Sequence, residues 1–158
     1  MLKRLALVIL AVAFAAPALA AEPAPMEVTK TKAKFEDVKD ELVDAVNKRG
    51  LVIDTTLHIG AMLDRTAKDV GATKQVYTRA EAILFCSAVL SRRMMEADAA
   101  NIVFCPYVIA IYTLASDPAT VYVAYRRPQQ VGSPQSRAAL KAVDDLLSGI
   151  VKEAVKQP

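Results

Sequence analysis

Apolar positions change their spacing several times along this chain, and each change marks an element. In "FEDVKDELVDAVNKRG" the residues Phe35, Val38, Leu42, Val43 and Val46 recur at helical spacing, and Gly50 can end the helix in the left-handed conformation. "LVIDTTLH" follows at once; it is β-branched and reads as a strand. "IGAMLDRTAKDVG" predicts a short helix with Met62, Leu63, Thr66 and Val70 inward and Gly71 at its end. "RAEAILFC" reads as a second core strand, and "SAVLSRRMMEADAA" as a helix with Ser87 as its N-cap. "VFCPYVIAIYTL" and "TVYVAYRR" are two strands joined at the Asp117-Pro118 turn signal, which predicts a hairpin. The loop "PQQVGSP" then leads, through Ser133 or Ser136 as cap, into a long amphipathic helix. Its apolar face carries Leu140, Val143, Leu146, Leu147, Ile150, Val151 and Val155, and its polar face Lys141, Asp144, Asp145, Lys152 and Glu153.

Strands of two-residue period mixed with covering helices predict an α+β domain. The sheet is expected to be mostly antiparallel, of about four to five strands, with helices packed on one side. Its other side is left to water, to a partner, or to a second copy of the chain as a homodimer. No repeat, low-complexity tract or second domain interrupts the pattern.

The N-terminus changes where this domain is expected to work. "MLKR" is a short basic start, "LALVILAVAFAA" an apolar run, and Ala18 and Ala20 sit at the small-residue positions before a cleavage point. Residues 1–20 therefore read as a secretory signal peptide cut after Ala20, which implies a periplasmic protein with no stable membrane anchor after cleavage. Removing 20 residues from 158 leaves 138, enough for one core. Residues 21–28 read as a proline-broken tether that can become an edge strand from Met26, and 29–158 as a single domain. Lys3 and Arg4 leave with the leader, so 20 basic residues become 18 against 17 acidic ones. That balance gives no support to a nucleic-acid partner.

The ordered series of helix, "RGLVIDTTLH", short helix ending in Gly, strand, helix, "CPYVIAIY" and "VYVAYRRP" resembles the bacterial family catalogued as domain of unknown function 302. The resemblance covers roughly Thr29 to Val155. His58 stands after the second strand, where the family commonly has a His, and Met94-Met95 stand at its late apolar pair in the central helix. Cys105-Pro106 stands where the family commonly has Leu-Pro, and Phe85-Cys86-Ser87-Ala88 where it has Phe-Gly-Asn-Pro. Both cysteines thus replace other residues of the common pattern, which marks this chain as a cysteine-containing exported variant. The resemblance implies a compact β-α-β(4)-α-like fold and no established reaction.

The cysteines are the first candidates for chemistry. Two cysteines in an exported chain most often pair. Cys86 ends one strand and Cys105 begins another. If those strands are antiparallel neighbours, a disulfide is within reach, and closing its loop is worth roughly 3 kcal/mol. If a crossover helix makes them parallel, the two ends lie apart and the bond is impossible. A thiol or soft-metal site in a redox or sulfur pathway is the alternative. Its ligands would come from Cys86, Cys105, His58, Met62, Met94 and Met95, taking copper, or haem iron through His58. No cofactor is expected on the main reading, because methionines on an apolar helix face are usually core. His58, the sole histidine, reads as a capping or partly buried residue, with a ligand or proton-carrier role as the sharper option. Arg92, Arg93, Arg126 and Arg127 read as solvated, or as a small-anion site if the central helix and the hairpin's end converge. The alternation of strand faces puts Tyr107 and Tyr125 on one side of the hairpin and Tyr112 and Tyr122 on the other. No nucleophile, base and orienter can be assembled. The chain therefore reads as a non-enzymatic binding or accessory domain for an unidentified small molecule or periplasmic protein.

Overall fold

The computed structural model describes residues 24–156. The expected leader and the first residues of the tether lie outside them. In chain order the elements are β1 (Met26–Thr31), α1 (Phe35–Asn47), β2 (Val52–Leu57), α2 (Ile59–Thr66) and β3 (Tyr77–Cys86). Then come α3 (Ala88–Ala97), a 3-10 helix (Ala99–Phe104), β4 (Tyr107–Leu114), β5 (Asp117–Arg126) and α4 (Pro134–Ala154). The five strands form one sheet in the order β1-β5-β4-β3-β2, and every neighbouring pair is antiparallel. This is the α+β fold expected from the alternation of strand and helix periods. β1 starts at Met26, which pairs with Arg126, so Met26–Val28 belong to the sheet and not to a tether.

One face of the sheet carries the core. Ile83 and Phe85 of β3, Ile109 and Ile111 of β4, and Val121 and Val123 of β5 alternate onto it. Val38, Leu42 and Val46 of α1 and Leu140, Val143, Leu147 and Ile150 of α4 close over them. α1 ends as its sequence requires, with Gly50 at φ +69, a conformation that costs a glycine little. α4 is capped by Ser133, whose hydroxyl accepts from the Ser136 amide at 3.1 Å.

Two local expectations fail. α2 was expected to bury Met62, Leu63 and Val70, yet these are 41%, 39% and 74% exposed. α2 ends at Thr66 and lies across the opposite face of the sheet from the other helices. It approaches β3 through Gly60, where an added Cβ would sit 3.1 Å from the Ala80 amide nitrogen. That contact is made by a bare backbone, so it leaves the larger side chains of α2 at its margin. The second failure is the strand expected from Val103, which is a 3-10 helix up to Phe104, with β4 starting at Tyr107. Asp98 begins it by accepting from the Ala100 amide at 2.9 Å. Buried Asn101 fixes it, its side-chain amide donating to the Met94 carbonyl and the Ser136 hydroxyl, both at 2.8 Å.

Candidate functional site

Antiparallel pairing of β3 with β4 places Phe85 opposite Tyr107 and so brings the last residue of β3 beside the entry to β4. Cys86 and Cys105 meet there, joined as a disulfide with their Cα atoms 6.5 Å apart, inside the range a disulfide needs. Both cysteines are half-buried. Ser87, next to Cys86, caps α3 by accepting from the Leu90 amide at 3.3 Å. One turn on, the Ser91 hydroxyl lies 3.7 Å from the Cys105 sulfur and 3.1 Å from the Tyr107 hydroxyl. Burial raises the Tyr107 phenol above its ordinary range, against the hydrogen bond from Ser91.

The disulfide also fixes one wall of a groove. Cys105 is flanked by Phe104 and Pro106, and both line a cavity of about 550 Å³ at this end of the sheet. Its floor is the free face of β4 and β5, with Val108, Ala110 and Ala124, and Met26 of β1 closes one side. The floor is low because short side chains stand in register there: Ala110 pairs with Ala124. Val28 of β1 extends that row from Ala124. The next row is tall, with the rings of Tyr112 and Tyr122 stacked at 5.1 Å.

A family model described as "Domain of unknown function DUF302" matches residues 26–154, every strand and helix of the sheet domain. The chain belongs to the DUF302 family. A crystal structure of an uncharacterized conserved DUF302 protein from Bacillus stearothermophilus superposes with a TM-score of 0.70 at 10% identity, covering 84% of this chain and 99% of that one. At that identity the match speaks for the fold alone. A comparison with curated proteins finds no match.

Within this DUF302 domain the other candidates are dispersed. Met94 is fully buried in the core and Met95 packs at its margin. Met62 sits on α2, across the sheet from them. His58 precedes α2 without capping it, and its Nδ1 lies 3.9 Å from Glu81 Oε1. Arg92 pairs with Glu96 one turn along α3 at 3.0 Å, and Arg93 lines a shallow depression beside Pro134. Arg126 and Arg127 are at the groove instead. Arg127 is held by Asp144 at 2.8 Å and by Glu27 in a closer contact. The Tyr125 hydroxyl is shared between Glu27 and Asp144, at 3.2 Å from each. Burial, and then these carboxylates, push the Tyr125 phenol far above its usual range.

Sequence reasoning missed the roles of Glu27, Asp144 and Asn101, because their side-chain partners Arg127 and Ser136 lie far along the chain. Asp98 ahead of the 3-10 helix was the one local signal, an N-cap residue that marks a new start after α3.

Proposed function

We propose that this DUF302 chain is an exported, non-enzymatic binding domain, stapled by Cys86–Cys105, whose ligand occupies the groove at the stapled end of the sheet. The observation that carries this reading is the groove itself, about 550 Å³ with walls from β1, β4, β5 and the segment around Cys105. That volume is in the range of small-molecule sites, and apolar walls with few polar groups are their usual lining. Export to the periplasm is supported by the leader-like residues 1–20 and by a disulfide, which persists in oxidising compartments. The test is a thermal-shift screen of the chain beginning at Ala21 against small amphipathic molecules. Hits should lose their effect when Ala110→Leu raises the groove floor. A screen whose hits are indifferent to that substitution places the ligand elsewhere.

A second reading, a thiol–disulfide or soft-metal protein, is favoured by the half-buried bond and by the Ser91 hydroxyl beside Cys105. Under it, mild reductant releases both thiols while the fold persists, and the reduced protein takes up Cu(I). Cu(I) uptake that survives Cys86→Ser with Cys105→Ser removes the cysteine-based form.

A further inference from the structure

The charged side chains that line the groove are both arginines. Among its lining residues the ionisable groups other than buried Tyr107 and Tyr125 are Arg126 and Arg127, and no carboxylate lines it. Arg127 is already engaged by two carboxylates, Glu27 and Asp144. Arg126 is exposed and, among the described residues, makes no ion pair or side-chain hydrogen bond. It ends β5 opposite Met26, two residues beyond Ala124 and so on the same free face. One guanidinium without a counter-ion therefore stands at the mouth of an apolar trough. The two nearby carboxylates are engaged by Arg127 and do not line the trough, so a cation finds no free acid in it, and a neutral chain leaves the guanidinium's forked donors unused.

Resting on the binding reading above, we propose that the groove takes a small free monoanionic amphiphile, with its carboxylate on Arg126 and its apolar body along Val108, Ala110 and Ala124. The Tyr112–Tyr122 stack, one row beyond the alanines, bounds the body on one side. Met26 and Pro106 bound the trough at the other end.

The probes are hexanoate, octanoate and decanoate, with decanol and decylamine as controls, titrated calorimetrically into the disulfide-bonded chain from Ala21. Affinity should rise roughly fourfold per added methylene until the groove is full. Decanoate should bind about tenfold or more tightly than decanol, and Arg126→Gln should erase that difference. Arg126→Glu should turn the preference toward decylamine. Because Arg126 is exposed, both variants are expected to fold, and circular dichroism checks this. Decanoate should shift the methyl NMR signals of Ala110 and Ala124, which locates the site without any substitution. If decanol and decylamine match decanoate, and Ala110→Leu weakens all three, the groove binds but the choice of an acid is overturned. If decanoate shifts signals elsewhere, or none, the anionic-amphiphile proposal is overturned, while the binding reading stands or falls on whether the screen's hits depend on Ala110. If phosphatidylglycerol vesicles are bound and decanoate is not, or if sedimentation shows a dimer that buries Ala110 and Ala124, the free-amphiphile proposal is overturned.

Discussion

At the end where β1, β2 and β4 begin and β3 and β5 finish, the sheet meets a disulfide, an apolar groove and, beside it, Arg127 held between Glu27 and Asp144. At the opposite end, where β3 and β5 begin, it meets charges and phenols. There Glu81, almost buried on β3, lies 2.6 Å from Lys39, 3.5 Å from Arg79 and 3.9 Å from His58. Arg79 also reaches Glu36 at 2.5 Å and stacks over the Phe35 ring at 3.9 Å. Asp117 accepts from Tyr122 at 3.0 Å, and Lys32 donates to Thr120 at 2.5 Å. A covalent tether restricts the unfolded chain and is indifferent to salt, whereas ion pairs near the surface weaken with salt and with protonation. The polar end needs nothing from the redox environment. The stapled end does, and it is the end with room for a ligand.

The largest perturbation should come from the core that both ends share. Leu147 is 2% exposed, packs against the sheet from α4, and also contributes to the groove lining. Leu147→Ala should cost roughly 2–5 kcal/mol, as core truncations do. It should lower the melting temperature and enlarge the groove without favouring either end in hydrogen exchange. An unchanged melting temperature would mean that α4 does not close the core.

Breaking the staple should separate the ends. Cys86→Ser with Cys105→Ser releases a 19-residue span, for which the entropic account gives roughly 3 kcal/mol. Amides of the 3-10 helix should exchange faster than those around Glu81, and groove ligands should bind more weakly, because Phe104 and Pro106 lose their anchor. Equal loosening at both ends would show that the bond stabilises the domain globally and does not shape the groove.

This difference between the ends was only half legible in the sequence. Periodicity places the strands and the long helix, because burial on one face imposes a spacing that can be read locally. The same alternation separates Tyr107 and Tyr125 from Tyr112 and Tyr122, as found. The disulfide turns on whether the two strands are antiparallel neighbours or parallel across a helix, and what favours pairing is the oxidising compartment of an exported chain rather than the periodicity. The groove was not legible at all. It depends on Ala110 and Ala124 falling in one cross-strand row and on Met26 of β1 standing opposite Arg126, and the pairing of strands so distant in the chain leaves no mark in a single strand. α2 misled for a related reason: its amphipathic pattern is real, but Gly60 lets it settle on alanines at the less covered face.

At the polar end, Glu81→Gln should cost about 1–2 kcal/mol. That lies between the loss of an exposed pair and that of a buried one, since it strips Lys39 and Arg79 of a shared partner. The cost should shrink in high salt, whereas that of the cysteine double variant should not. A salt-independent loss would assign Glu81 a packing role.

The smallest effect, and the most selective, is acid. Hydrogen bonds from Thr120 and Tyr122 hold the Asp117 carboxyl below its ordinary range. The hydrogen bond from Arg79 does the same for Glu36. Both carboxyls are depressed in the folded state, so their contribution is present above their unfolded pKa values. It is lost as pH falls through the lower, folded ones. Glu36 is solvent-exposed and Asp117 half-buried, so the loss is modest and partly screened by salt. As pH drops below about 4, exchange should quicken at the start of β5 and around Arg79. Hydrogen exchange measured across that range at low and high salt reads this directly. Exchange that does not quicken at either place would show that the hydrogen bonds to Asp117 and Glu36 contribute nothing to stability.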